Sequence, residues 1–287
     1  MDNGIISVGF TETAGRFYSF KVRGTECLYP GDYSTALPAL QRMTQKVSKE
    51  LVQHRVDYAG FADEAAMGHW PVSLVDWNLE LLELNPERIS VAVSIRFPDN
   101  PFLFKRTMTM SANSADLDIR YEIINVMPKG MSSDDPGHYQ FAWRGRFVPA
   151  IGNDGAENDV IFMPAASITL PETRFSVKNP VFYERPNFPL SQSVGGVYDA
   201  VSGKGFAMIG DKNITHGYIW FNSKGNHKGE GKRYTLEFPR SRYGQRNTDK
   251  FQNTPFDIQP GNTLRFGIKL RGLENVKNDN DFRSAIK

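Results

Sequence analysis

The sequence predicts an all-β protein, built as a sandwich or barrel of antiparallel strands. Short segments that alternate apolar and polar residues recur from residue 74 to residue 270, with turn residues between them. The composition agrees with this class, because the chain holds 20 Phe, 11 Tyr, 25 Gly and 17 Pro. Aromatic rings favour pleated, half-buried strands, whereas Gly and Pro favour the turns that join them.

The beginning of the chain predicts two strands and one ambiguous segment. Residues 5–10 and 16–23 alternate as strands, with Thr13, Ala14 and Gly15 between them. Residues 39–54 carry apolar side chains at helical spacing, which predicts an amphipathic helix. The same stretch is rich in Lys, Gln and Arg, and an extended conformation fits it equally well.

A series of strands follows, predicted at residues 74–84, 88–97, 103–111, 116–125 and 138–148. Turn sequences such as Asn85-Pro86 and Asn113-Ser114 separate them. The Pro-rich stretch 160–189 predicts loop with short strands, and further strands are expected at residues 196–199, 206–211, 216–221, 234–238 and 263–270. Residues 274–287 predict a polar tail. No clean boundary divides the chain, so we expect a single domain over residues 1–287.

Charge and cysteine content exclude several classes of function. The formal net charge is only +2, which gives no reason to expect a nucleic-acid or membrane partner. The lone Cys27 forms no intramolecular disulfide and predicts a small core residue, and no cysteine cluster is present to hold zinc. The chain lacks a Gly-rich phosphate loop and a metalloprotease histidine pair, so we expect neither cofactor nor metal.

The start of the sequence and its hydropathy bear on location. The start of the sequence, Met1 to Gly4, has neither the basic region nor the long apolar run of a signal peptide. No stretch is long and apolar enough to span a bilayer. We therefore expect a cytoplasmic protein, with a removed signal peptide as the open alternative.

Three of the predicted strands pair an apolar face with a polar face that suits sugar chemistry. Alternate residues of a strand leave opposite sides of the sheet, so one side buries and the other stays available to a ligand. If the strands share one sheet, we expect a carbohydrate site on the polar side; an ordinary solvated face is the alternative. The candidate residues on that side are His138, Gln140, Arg144, Tyr218, Trp220 and Glu237.

Several segments, in their order along the chain, resemble the galactose mutarotase-like (aldose 1-epimerase) superfamily. Met67-Gly68-His69-Trp70 is similar to the first histidine segment of that superfamily, and Tyr234-Thr235-Leu236-Glu237 to the strand with its catalytic glutamate. The other similar segments are residues 5–29, 103–125, 135–141 and 258–264. The resemblance spans nearly the whole chain and is specific as a series of segments rather than at any single motif.

The resemblance implies an antiparallel β-supersandwich that interconverts sugar anomers without a cofactor. Such a reaction needs a base at the C1 hydroxyl and an acid at the ring oxygen. Glu237 is the expected base and His138 the expected acid, while His69 orients the sugar or polarises the oxygen. The expected substrate-binding residues are Trp220 or Tyr218, which stack on the sugar, together with Gln140 and Arg144.

The sequence also departs from that superfamily, which leaves other functions open. Phe238-Pro239-Arg240 follows Glu237 in place of an acidic, Asn-containing run, and the usual Asp-His pair of a middle strand is not evident. A non-catalytic carbohydrate-binding or sensing protein is one alternative. A sugar lyase is another, and convergence of Arg144 or Arg240 on one groove would favour it. The sequence leaves the identity of the sugar and the oligomeric state open.

Overall fold

A computed structural model describes most of the chain. The described residues are 1–10, 15–29, 60–65, 77–96, 101–134, 138–141, 143–153, 158–164, 174–176, 187–212, 214–222, 233–239 and 256–287. The segment 39–54, for which a helix was one of two predictions, lies outside them.

The strands are numbered along the chain. The first ten are β1 (Ile6–Phe10), β2 (Phe17–Val22), β3 (Thr25–Glu26), β4 (Phe61–Ala65), β5 (Asn78–Asn85), β6 (Arg88–Arg96), β7 (Phe102–Ser111), β8 (Asp116–Asn125), β9 (Gln140–Phe141) and β10 (Trp143–Phe147). The rest are β11 (Asp159–Phe162), β12 (Arg174–Ser176), β13 (Asn187–Pro189), β14 (Val194–Asp199), β15 (Gly205–Gly210), β16 (His216–Asn222), β17 (Arg233–Pro239), β18 (Phe256–Asp257) and β19 (Thr263–Leu273).

These strands form two large antiparallel sheets. The first has the order β1-β2-β4-β10-β17-β16-β13, with β3 paired to β2, and the second has the order β12-β11-β14-β15-β19-β8-β7-β6-β5. A short pair, β9 with β18, lies beside them. All described pairings are antiparallel. The predicted all-β, antiparallel supersandwich is confirmed.

The core lies between the sheets and follows the alternation seen in the sequence. On β7, Phe102, Phe104 and Met108 are buried while the residues between them are largely half-exposed. From the other sheet, Trp143 packs its ring against Tyr121 of β8, with ring centroids 5.1 Å apart. Interdigitated aromatic side chains bury large apolar areas and hold the two sheets together.

A polar network crosses this apolar core. Asp63 on β4 accepts hydrogen bonds from Arg106 (2.5 Å), Tyr121 (2.8 Å) and Trp143 (3.0 Å). Arg106 also donates to the carbonyl of Gly15, and its guanidinium lies over the ring of Phe17, 4.9 Å from the centroid. Burial, followed by the charge of Asp63, raises the pKa of Tyr121 well above its usual value, so its hydroxyl stays a donor. The network joins β7 and β8 of one sheet to β4 and β10 of the other.

The prediction of a polar tail at residues 274–287 is wrong. Residues Asp279–Ala285 form a helix, α1, whose N-terminus is capped by the side chain of Asn278. Phe282 is fully buried against Phe162 and Tyr198, in a second apolar cluster outside the main core. Because the charged residues of the segment outnumber its apolar ones, composition alone conceals the single ring that docks the helix.

One strand prediction also differs from the structure. The single strand expected at residues 138–148 is divided, because β9 pairs with β18 while β10 joins the first sheet.

Cys27, which was expected in the core, is fully buried. Burial and, to a smaller extent, the charge of Glu26 raise the pKa of its thiol. Within the described ranges, no helix has the length and hydropathy needed to cross a bilayer.

Candidate functional site

Three neighbouring strands of the first sheet carry most of the predicted site. The order β10-β17-β16 places the strands that hold Arg144, Glu237 and Tyr218 side by side. The sequence predicted His138, Gln140 and Arg144 on one strand of this sheet. Only Arg144 lies in it, because Gln140 is on β9, which pairs with β18, and His138 precedes β9. The neighbourhood of β10 and β17 depends on pairing between segments that are about ninety residues apart, since β10 ends at Phe147 and β17 begins at Arg233.

The backbone register aligns two rows of residues across these strands. Phe147, Leu236 and Ile219 form one row, and all three are fully buried in the core. Arg146 is paired with Glu237, and Glu237 with Tyr218, which makes the adjacent row. Since successive residues alternate across a sheet, this second row belongs to the face that points away from the core. We call the row of Arg146, Glu237 and Tyr218 the polar row.

Two arginines lie on that outer face of β10. Arg144 and Arg146 are only 4% and 7% exposed. Arg144 stands in register with Glu64 of β4, and Arg146 with Glu237 of β17. Buried guanidinium groups are costly unless hydrogen-bonded or paired, and each arginine has a glutamate at the directly opposite position of a neighbouring strand. Each of the two buried arginines thus has an acidic residue at the adjacent register position.

His138 lies just before β9 and is half-buried. Its Nδ1 atom is 2.6 Å from the hydroxyl of Ser133, and its carbonyl accepts a hydrogen bond of 2.8 Å from the side chain of Asn125. The same Asn125 amide donates to the carbonyl of Ile258, also at 2.8 Å. The side chain of Asn125, at the end of β8, thus holds both the segment of His138 and the turn that leads to β19. These contacts fix the position of the imidazole.

The remaining predicted site residues occupy several different environments. Gln140 is on β9, in register with Asp257, and Trp220 is on β16, in register with Thr235, two positions along β17 from Glu237. His69 lies in the segment 66–76, outside the described residues. Over the described part of the chain, no group of three His, Cys, Asp or Glu side chains is arranged to hold a metal ion.

Sequence reasoning missed Arg146 as a site residue. Arg144 is among the candidate residues of the sequence analysis, whereas Arg146 is not. The signal was present, because residues two apart on a strand share a face, so any site that includes Arg144 includes the position of Arg146. What the sequence lacked was the register that sets Arg146 directly opposite Glu237.

Comparison with solved structures shows what this architecture resembles. A galactose mutarotase related enzyme from Lactobacillus acidophilus aligns over 97% of this chain and 98% of its own, with a TM-score of 0.63 and 10% identity. A galactose mutarotase-like protein from Clostridium acetobutylicum aligns over 96% and 94%, with a TM-score of 0.63 and 12% identity. A candidate aldose 1-epimerase from Klebsiella pneumoniae subsp. pneumoniae aligns over 98% and 80%, with a TM-score of 0.69 and 11% identity.

These comparisons define the fold. The chain is an antiparallel β-supersandwich, and its fold is galactose mutarotase-like, as the resemblance implied. No family model matches the sequence, and the search of curated proteins gave no match. At these identities the shared fold carries no assignment of activity, which has to be argued from the site.

Proposed function

We propose that the protein is an aldose 1-epimerase-like enzyme that interconverts the anomers of a sugar by acid/base catalysis. The observation that carries the proposal is the polar row, in which Glu237 stands between Arg146 and Tyr218 on the outer face of the first sheet. A glutamate in register with an arginine on one side and a tyrosine on the other sets a base, a cation and an aromatic ring at adjacent positions of the sheet.

The sequence contains an acid and a base of the kinds that this reaction needs. Glu237 removes the proton of the C1 hydroxyl while His138 donates a proton to the ring oxygen, and the bond between C1 and that oxygen breaks. The product is the open-chain aldehyde. After rotation about the C1–C2 bond, the ring oxygen attacks the other face of C1, the protons return, and the opposite anomer forms. His69 assists His138 by orienting the sugar or polarising the ring oxygen.

The remaining candidate residues bind the substrate in this proposal. Trp220 or Tyr218 stacks on the C–H face of the ring, and Gln140 and Arg144 donate hydrogen bonds to its hydroxyls. The galactose mutarotase-like fold supports the assignment, and one structure that shares it is named a galactose mutarotase related enzyme. The ligand is a small carbohydrate, and the chemistry requires neither a cofactor nor a metal.

The test is polarimetry of freshly dissolved single-anomer sugars. The panel should include neutral hexoses, pentoses, hexose phosphates and uronic acids, because Arg144 and Arg146 leave the charge of the sugar open. The wild type should accelerate the mutarotation of at least one sugar. Glu237→Gln should lose roughly 10²–10⁴-fold in rate, because it removes the base while keeping the shape.

Glu122→Gln is the matched control. Glu122 lies on β8 of the other sheet, where it makes an exposed ion pair of 2.7 Å with Arg265, so the same chemical change there should leave the rate unchanged. Full activity in Glu237→Gln would contradict the assignment of the base. A wild type that binds a sugar by calorimetry but accelerates none would point instead to a carbohydrate-binding or sensing protein.

A further inference from the structure

The outermost strand of the second sheet has an unusual surface. β5 is the last strand in its sheet, and in the part of the chain that the structure describes β6 is the strand it pairs with. Its leucines Leu79, Leu81, Leu82 and Leu84 are 46%, 59%, 44% and 68% exposed. Apolar side chains along an eight-residue sheet edge whose outer side pairs with no other described strand form a surface suited to strand addition.

Three of these leucines belong to the side of the sheet that forms the core. Leu79, Leu81 and Leu84 are in register with Val93, Val91 and Ile89 of β6. Val91 and Val93 are buried in the main core, which Ile89 also contacts. The apolar layer of the sandwich therefore continues outward onto β5. A partner that extends the sheet would continue this layer and cover part of it.

The sequence of β5 indicates what that partner is. Residues Asn78–Asn85 read Asn-Leu-Glu-Leu-Leu-Glu-Leu-Asn, which is the same in both directions. Two antiparallel copies related by a two-fold axis meet the same strand running in reverse, so a palindrome sets each type of residue opposite its own type. With the axis between Leu81 and Leu82, Leu79 faces Leu84 of the second copy on the core side of the sheet. Glu80 faces Glu83 on the other side, where Arg88 of β6 pairs with Glu83 at 3.4 Å.

The irregularity in β5 keeps this arrangement consistent with the faces of the sheet. The register with β6 shifts between Leu81 and Glu83, so one extra residue lies in the strand. Because of that shift, Leu79 and Leu84 lie on the same face although their numbers differ by an odd number. Without the bulge, the symmetric pair of Leu79 and Leu84 would set an inward residue against an outward one.

We propose that β5 is a homodimer interface, at which two copies pair edge to edge about a two-fold axis and join their second sheets into one continuous sheet. Edge pairing supplies backbone hydrogen bonds, and the facing leucines supply apolar contact. The formal net charge of +2 per chain opposes association only weakly. The proposal concerns a different sheet from the candidate site and does not rest on the proposed enzymatic function.

The first test is the oligomeric state, measured by sedimentation equilibrium over a range of concentrations. The wild type should be a dimer. Leu84→Lys should raise the dimer dissociation constant by roughly 100-fold, because the two-fold axis applies the cost of each charge twice. Val201→Lys is the matched control, since Val201 is 69% exposed against 68% for Leu84 and lies in a turn away from β5; it should remain a dimer.

The second test locates the axis. Leu82→Cys places a thiol near the two-fold, and a short bismaleimide should cross-link two chains of this variant but not of Val201→Cys. The only native cysteine, Cys27, is fully buried, so the background is low. A monomeric wild type would overturn the proposal, as would a dimer that survives Leu84→Lys or a Leu82→Cys variant that does not cross-link.

Discussion

The imidazole of His138 has a fixed neighbour in the hydroxyl of Ser133, 2.6 Å from Nδ1. In the proposed mechanism a proton passes from this ring to the sugar, so the orientation of the ring decides whether the transfer is productive. A hydroxyl that accepts from or donates to Nδ1 selects the tautomer and limits the rotation of the ring. Ser133 is therefore a positioning residue in the proposal, and it does not touch the substrate.

The expected effect of Ser133→Ala is a modest loss of rate. Removing one hydrogen bond costs about 1 kcal/mol, which corresponds to roughly a five-fold decrease in kcat, with KM little changed. The loop should survive, because the backbone amide of Ser133 still donates to the hydroxyl of Tyr139. Ser133→Thr keeps the hydroxyl and should restore the rate in polarimetric assays; equal activity of all three proteins would exclude the positioning role.

At the scale of single elements, β8 and β19 are joined by charge as well as by backbone. Asp116 accepts from both Arg271 (2.7 Å) and Lys269 (3.0 Å) on the outer face of the second sheet. Burial opposes the ionisation of Asp116, but these hydrogen bonds outweigh it and lower the pKa of the carboxyl below its usual 3.8. The carboxylate therefore stabilises the folded state more than the unfolded state.

This shift has a definite sign in the dependence of stability on pH. The stabilisation by Asp116 is present above its unfolded-state pKa of about 3.8 and is lost as the pH falls through the lower folded-state pKa. We expect Asp116→Asn to lower the free energy of unfolding by about 1 kcal/mol at pH 7, with the difference from wild type fading below pH 3.8.

Urea unfolding at pH 7, 5 and 3 measures the effect, and Asp118→Asn provides the control. Asp118 lies on the same face, two residues further along β8, but its side chain is 52% exposed and its nearest ammonium, on Lys269, is 3.8 Å away. A loss in Asp116→Asn that is the same at all three pH values would contradict the argument.

Local alternation was sufficient to find most strands but not their partners. β7 and β8 were predicted within one residue, because alternation of apolar and polar residues is visible over most of each strand. The pairing of Arg146 with Glu237 could not be predicted, since it depends on which distant strands become neighbours. α1 was missed because one aromatic residue, Phe282, anchors it, and its capping residue Asn278 was interpreted as part of a polar tail.

On the scale of the whole molecule, the network around Asp63 ties the two sheets together. The Asp63 and Arg106 side chains are almost fully buried and 2.5 Å apart, and Tyr121 and Trp143 complete the partners of the carboxylate. Removing the charge of Asp63 leaves the guanidinium of Arg106 without its counterion in the core. Breaking one side of a buried ion pair in this way costs about 3–5 kcal/mol.

We expect Asp63→Asn to lower the free energy of unfolding by about 3–5 kcal/mol, as measured by chemical denaturation. Tyr121→Phe removes one hydrogen bond to the same carboxylate and should cost less, about 1–3 kcal/mol. An Asp63→Asn protein as stable as the wild type would show that the network contributes no net stability.

The same network also bears on how quickly the chain reaches and leaves its native state. Its three hydrogen bonds to Asp63 link residues separated by 43, 58 and 80 positions, and the two from Arg106 and Tyr121 cannot close until both sheets have docked. Contacts of such long range are slow to form, because the chain must lose loop entropy before they are gained. In stopped-flow experiments, Asp63→Asn should therefore leave the refolding rate almost unchanged and accelerate unfolding. The carboxylate of Asp63 thus contributes to the kinetic stability of the native state, because it slows unfolding.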